Sequence, residues 1–178
     1  MDSLSPQQRH FCMSRIRGKN TKPEMIVRRW LWSQGFRYRI NDHRFIGKPD
    51  LVLKKWKTVI FVNGCFWHGH AECGRFRLPK SNVQFWQDKI SRNQQRDAAN
   101  YLQYRLNGWQ VIVVWECQLL PAVRQQTLQQ LTAVLDKIVL SSSSVASASA
   151  ELEKESSQYL EGEENLSIAA EESPGYNS

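Results

Sequence analysis

The sequence predicts an α/β domain in which a mixed sheet is flanked by helices. Three observations carry this expectation. Helical apolar spacing alternates with short apolar runs in the order ααβββαβα, a polar four-residue connection joins two of those runs as a hairpin, and 178 residues suffice to bury one sizeable core. Ser5 reads as an N-cap with Pro6 at the first helical position, and Gly18 ends that helix about three turns later. With Arg9, Arg15, Arg17 and Lys19, residues 1–20 form a basic helical arm. A second helix is expected from about Pro23 to Gln34, opened by Thr21 and closed by Gly35, with Met25, Ile26, Trp30 and Leu31 facing the core. Extended segments follow at Arg37–Ile40, Leu51–Leu53 and Thr58–Val62, and Lys54-Lys55-Trp56-Lys57 turns the last two into a hairpin. A long helix from about Val83 to Asn107, with Gly108 beyond it, leads to the strand Val111–Trp115 and a last helix from about Ala122 to Leu140.

After Leu140 the composition changes to a serine run and then glutamate-rich sequence with few large apolar groups. Residues 1–140 are therefore read as the folded domain and 141–178 as a disordered acidic tail. The tail either screens the basic surface from non-specific DNA or is solvated chain without a role. It holds eight Glu and one Lys, a net −7 against +7 for the whole chain, which leaves +14 on residues 1–140. So basic a surface suits a polyanion, because each phosphate neutralised releases condensed counterions. The longest apolar run, Val111 to Trp115, is far too short for a membrane span, and no secretion signal is recognised. A cytoplasmic, nucleoid-associated protein is expected.

Four cysteines without a secretion signal argue for metal binding over disulfides. Cys65 follows the strand Thr58–Val62 and Cys117 follows Val111–Trp115, so neighbouring parallel strands would bring the two thiols together. His70 and Cys73 lie between them, completing Cys-x4-His-x2-Cys and a distant Cys, the ligand types tetrahedral zinc takes. Four protein ligands make the expected zinc structural. Cys12 falls outside this set, as a small apolar residue of the first helix.

Gly47-Lys48-Pro49-Asp50 places a carboxylate at the start of a strand, and the next strand ends toward Asn63 and then His68. Many nucleases of the restriction-enzyme type hold magnesium on such a Pro-Asp beside an adjacent strand, and Pro-Asp is also common turn chemistry. Asp50 is the one carboxylate the sequence puts at a strand end beside the metal loop. Thr21-x-x-Glu24 reads as a capping box, which assigns Glu24 to the helix terminus. His68 lies between two expected ligands and is pinned near a rigid site, where a neutral imidazole takes a proton from water. His10 and His43 have no such context and are read as surface residues. Phe66-Trp67 stands inside the polar metal loop, where two large rings are hard to bury, so they suit a wedge that unstacks base steps. Phe85-Trp86 opens the long helix, with core as the default for Phe85.

Met13-Ser-Arg-Ile-Arg-Gly-Lys-Asn-Thr-Lys-Pro-Glu24, Gly47-Lys-Pro-Asp50, Asn63-Gly-Cys-Phe-Trp-His68-Gly-His70, Phe85-Trp86-x-x-Lys89-Ile90, Asn93-x-x-Arg96-Asp97 and Gly108-Trp109 through Val114-Trp-Glu-Cys117 run in order along the chain. Over about residues 8 to 120 this pattern resembles the very short patch repair (Vsr) endonucleases. The resemblance implies a restriction-endonuclease-like fold, one structural zinc, and magnesium-dependent nicking 5′ to the thymine of a T·G mismatch arising from 5-methylcytosine deamination. It further implies that Asp50 and the main-chain carbonyl of Val62 hold magnesium, that His68 activates the attacking water, and that Glu24 supports the site in addition to any capping role. Phe66, Trp67 and Trp86 would be the wedge beside the mismatch, Met13 on the first helix would grip the opposite groove, and Lys89, Asn93 and Arg96 would contact DNA. Three features depart from the pattern. Position 63 is Asn where the best-known pattern has a second His, the His70 to Cys73 spacing is one residue longer, and the acidic tail has no counterpart.

The implied partner is double-stranded mismatched DNA bound by a monomer, with mismatch-repair proteins and a cytosine-5 DNA methyltransferase as further partners. Two other functions compete: a restriction-type nuclease on the same fold, and a catalytically idle binder of distorted DNA, which Asn63 alone favours.

Overall fold

The computed structural model describes residues 5, 7, 8, 11, 14, 15 and 18–144. Met13, Cys12, His10 and the expected tail from 145 onward lie outside the described residues. The chain divides into two compact units, Met1–Val134 and Leu135–Ser178.

In the first unit the arm opens as the sequence predicts. Ser5 Oγ accepts from Gln8 N–H at 3.2 Å while Gln8 Oε1 accepts from Ser5 N–H at 2.9 Å, a reciprocal cap. Helix α1 spans Lys22–Ser33, with Thr21 at its N-cap and Pro23 in its first turn. Its buried stripe is Glu24, Val27, Arg28 and Leu31, whereas the expected core residues Met25, Ile26 and Trp30 are only partly buried. The inward face is thus rotated toward a buried ion pair, because Arg28 Nη2 stands 2.9 Å from Glu24 Oε2 and both side chains are almost fully enclosed.

Strand β1 (Arg39–Ile40) pairs antiparallel with β2 (Leu51–Leu53), which pairs antiparallel with β3 (Thr58–Asn63); β3 pairs parallel with β4 (Gln110–Trp115). β1 is shorter than the expected extended run from Arg37. Arg37 stacks on Trp32 at 4.0 Å and the Tyr38 hydroxyl donates to Arg28 O at 2.8 Å, so these residues pack on α1 instead of pairing. Lys54–Trp56 form a single 3-10 turn, and Lys57 in the left-handed region (φ 43°) completes the β2–β3 reversal.

Every residue of β2 is buried, as in a sheet covered on both faces. Leu51, Leu53, Val59 and Ile60 are fully enclosed together with Val27 and Leu31 of α1. A second cluster joins Val52, Val59, Phe61 and Tyr104, with Phe45, Tyr101, Trp109 and Val111 against it. Tyr101 and Tyr104 belong to helix α2 (Val83–Leu106), whose end agrees with the position of Gly108. Burial of one such leucine or isoleucine contributes on the order of 1.5–3 kcal/mol, and the cluster around Tyr104 anchors α2 against the sheet. A mixed four-stranded sheet flanked by helices is therefore the architecture, as expected.

Residues 124–134 are helical and carry buried Leu128 and Leu131, and Trp30 Nε1 donates to Thr132 Oγ1 at 2.9 Å. In the second unit, residues 135–144 are helical. The helical run thus passes the expected end at Leu140. The hydroxyls of Ser141, Ser142 and Ser143 donate to the carbonyls of Ile138 and Val139 at 2.8 to 3.0 Å, which lets serines remain in the helix. No helix among the described residues is long and apolar enough to cross a membrane.

Candidate active site and metal centre

The parallel β3–β4 register aligns Asn63 with Trp115, so both strands leave the sheet at the same edge. Cys65 and Cys117 each follow two residues later, and the register alone therefore brings these thiols together. Between them the chain turns back through His68 N–H to Gly64 O (3.2 Å), His70 N–H to Cys65 O (3.0 Å) and Cys73 N–H to His70 O (3.2 Å). The ligand atoms of Cys65, His70, Cys73 and Cys117 all lie within 4.8 Å of one another.

His70 Nδ1 is 3.7 Å from Cys65 Sγ and 3.5 Å from Cys117 Sγ. Zinc with tetrahedral angles and its usual bond lengths sets sulfur and nitrogen about 3.6 Å apart, which the two distances from His70 Nδ1 to sulfur match. His70 also stacks on Trp115, with centroids 4.0 Å apart and planes at 6°, which fixes the ring and leaves Nδ1 facing the thiols. Burial pushes the Cys65 thiol up and the Cys117 thiol up to about 12, while the Arg75 amide holds Cys73 below its ordinary value. Crowded, desolvated thiols of this kind give up their protons when a cation is present.

Asp50 stands at the start of β2, and its Oδ2 accepts from Val62 N–H at 2.7 Å. In an extended strand the N–H and C=O of one residue point to the same edge, so the Val62 carbonyl also faces the Asp50 side. Burial pushes the Asp50 carboxyl up to about 6, a rise the Val62 N–H opposes and the Glu24 carboxylate increases. Glu24 accepts from Asn20 N–H, the Thr21 hydroxyl and Arg28 Nη2, each at 2.9 Å. It satisfies the start of α1, and it also borders the same cleft as Asp50.

That cleft, about 570 Å³, is lined by Glu24, Asp50, Val62, Asn63, His68 and Trp67, and further by Lys48, Lys89, Arg96, Asp97 and Glu116. Asp97 and Glu116 add carboxylates to the expected Asp50 and Glu24, and Glu116, directly after β4, is a second carboxylate at a strand end where the sequence placed Asp50 alone. His68 Nδ1 is hydrogen-bonded to Asp97 Oδ2, so Nε2 is the ring nitrogen outside that bond. Arg96 Nη2 donates to the other Asp97 oxygen at 3.0 Å. Burial acts against it, but hydrogen bonds from His68 and Arg96 hold Asp97 below its ordinary value. Sequence reading gave Asp97 no role, although its spacing of four from Asn93 puts both on one face of α2. Asn63 is buried and donates to the Tyr101 hydroxyl at 2.9 Å.

Phe66, Trp67 and Trp86 form one cluster, with Phe66 5.1 Å from Trp67 and 5.2 Å from Trp86 between ring centroids. Lys89 Nζ lies 5.5 Å from both tryptophan rings. All four are partly exposed, and Trp67 and Lys89 line the cleft. Phe85, expected in the core, is 51% exposed at the first turn of α2, where it meets only the edge of this cluster. Asn93 and Arg96, expected at DNA, have partners within the chain: Asn93 Nδ2 donates to Trp67 O at 2.9 Å, and Arg96 is paired with Asp97.

A family model described as DNA mismatch endonuclease Vsr matches residues 1–75. The type II nicking enzyme V.NmeAIP of Neisseria meningitidis is 52% identical over 118 residues, 66% of this chain and 84% of that one. The type II nicking enzyme V.XorIIP of Xanthomonas oryzae is 44% identical over 118 residues, covering 66% and 86%. The DNA mismatch endonuclease Vsr of Escherichia coli is 37% identical over 107 residues, covering 60% and 68%. With relatives 37% to 52% identical, of which this chain covers 68% to 86%, the chain belongs to the Vsr family of DNA endonucleases.

Proposed function

We propose that this endonuclease nicks one strand of duplex DNA 5′ to the thymine of a T·G mismatch, the product of 5-methylcytosine deamination, and so initiates very short patch repair. One observation carries the reading: Glu24, Asp50 and His68, drawn from separate segments, line one cleft that also holds Trp67 and Lys89. A restriction-endonuclease-like fold is supported by Asp50 entering β2 beside β3. Asp50 and the Val62 carbonyl would hold magnesium, which supplies positive charge to the scissile phosphate. The buried, raised Asp50 carboxyl beside Glu24 supports a cation there.

His68, oriented by Asp97, takes a proton from the attacking water at Nε2. Asn63 offers hydrogen bonds but no titrating group, so it cannot act as the acid for the leaving oxygen. Zinc on Cys65, His70, Cys73 and Cys117 would be structural, since all four ligands come from the protein. Phe66, Trp67 and Trp86 would insert beside the mismatch, with Lys89 on the DNA side of the cluster and Met13 in the opposite groove. The enzyme is proposed to act as a monomer near the nucleoid, alongside mismatch-repair proteins and a cytosine-5 DNA methyltransferase.

Nicking of duplexes that differ only in T·G against C·G, with and without magnesium, tests this reading. A single nick 5′ to the thymine is expected in the T·G duplex alone, and only with magnesium. Equal cutting of the C·G duplex overturns mismatch specificity in favour of the restriction-type reading, to which the relatives called type II nicking enzymes lend weight. Binding without any cut would favour the idle binder.

A further inference from the structure

Helix α2 lays one face along the loop that carries His68, and consecutive loop residues are each held by a different side chain of that face. Asn93 Nδ2 donates to the Trp67 carbonyl at 2.9 Å, Asp97 holds the His68 ring at Nδ1, and Gln94 Nε2 donates to the Gly69 carbonyl at 3.1 Å. Residues 90, 94 and 97 recur at spacings of four and three, so they stack along that face, with Asn93 at its edge.

Gly69 lies directly on the helix. It has φ 60°, and a Cβ there would stand 2.6 Å from Gln94 Nε2 and 2.7 Å from Ile90 Cγ2. Glycine thus permits both the backbone conformation and the close approach, but it also leaves the segment between His68 and His70 with more freedom than any other residue would. A tie from outside the loop offsets that freedom. Gln94 itself is exposed, so its amide contributes little to core packing.

We propose that Gln94 is a positioning residue for His68: its carboxamide pins the Gly69 carbonyl to α2 and so keeps the imidazole aimed into the cleft. The Asn93 bond to Trp67 fixes the loop before the histidine, and the Gln94 bond to Gly69 fixes it after. Without the second tie, the Gly69 peptide rotates and His68 drifts from its place, while the cysteine and histidine cluster keeps its four ligands. The inference rests on the reading of His68 as a catalytic residue of the cleft.

The test compares Gln94→Leu, Gln94→Lys and His68→Ala with the parent, on whichever duplex the parent nicks. Single-turnover rate at saturating enzyme, DNA dissociation constant, metal content and Tm are measured for each. Gln94→Leu removes the donor at similar size and is expected to slow nicking roughly 10-fold to 10²-fold, as small misplacements of catalytic groups do. Its DNA affinity, metal content and Tm stay at the parent values. Gln94→Lys retains an N–H donor for the carbonyl and recovers most of the rate. Parent-rate nicking by Gln94→Leu overturns the proposal, as does a rate loss that tracks lost metal or DNA affinity, or a failure of Gln94→Lys to recover. If His68→Ala nicks at the parent rate, the reading of His68 falls and the inference with it. If His68→Ala is inactive while Gln94→Leu is not slowed, only the inference falls.

Discussion

Glu24 divides its carboxylate among the Asn20 amide, the Thr21 hydroxyl and the Arg28 guanidinium, and it is 4% exposed. Asp50, in the same cleft, has one hydrogen bond from Val62 and is desolvated without a paired cation of its own. The two carboxylates therefore respond differently to substitution. Glu24→Ala leaves Arg28 buried and unpaired, which costs about 3–5 kcal/mol, so it is expected to lower Tm as well as the nicking rate. Asp50→Asn relieves a desolvated charge and is expected to abolish nicking while Tm holds or rises. Thermal unfolding of both variants beside a nicking assay checks this, and a collapse of Tm in Asp50→Asn would sink the distinction. His68→Ala should slow nicking by roughly 10² to 10⁴, the usual range for a positioned general base. Asn63→Ala should cost less than either, and Asn63→His should raise the rate by adding a titrating group. A rate unchanged in Asn63→His would mean that the Tyr101 contact, and not the missing imidazole, governs position 63.

Among the elements, α2 carries the most functional weight. Its first turn supplies Phe85 and Trp86, its middle holds the His68 loop, and its last turns pack Tyr101 and Tyr104 on the sheet. The loop packs its aromatic rings on α2, but its stretch around Cys73 is open to solvent. Cys65 and Cys73 are buried, whereas Ala71, Glu72, Gly74 and Arg75 between and beyond them are exposed. One metal ion per chain is expected by elemental analysis of protein purified without chelator. Stripping that ion should melt residues 64–76 and abolish nicking, since structural metal contributes directly to folding. Hydrogen exchange reads the outcome: amides of the loop lose protection while those of β2 and β3 retain it. A loop equally protected without metal would show that packing alone sustains it.

For the whole chain, charge is the property that bears on DNA. Residues 1–140 carry +14 and the remainder −7. Affinity for duplex DNA should fall linearly on a log–log plot against salt, with a slope that counts the phosphates neutralised. A chain ending at Ser144 should nick as the full chain does, because the residues that line the cleft lie between Gly18 and Glu116. It should also bind DNA more tightly at low salt, with the difference vanishing as screening shortens the reach of the lost charges. Loss of nicking in a folded, truncated chain would place part of the tail at the site.

Local chemistry was legible in the residues themselves. Thr21 and Gly35 bracket α1, Gly108 follows α2, and two cysteines that each follow an apolar strand predict a shared metal centre. These features depend on neighbours along the chain or on a single strand pairing, and capping, periodicity and ligand spacing report them directly. The inward face of α1, the exposure of Phe85, the turning of Asn93 and Arg96 to partners within the chain, and the His68–Asp97 and Asn63–Tyr101 pairs were decided only by tertiary structure. His68 and Asp97 lie 29 positions apart, and Asn63 and Tyr101 lie 38 apart. Such pairs form only once α2 docks at one rotation and one height on the sheet. Packing of the Val52, Phe61 and Tyr104 cluster sets both, and no periodicity within either segment encodes them.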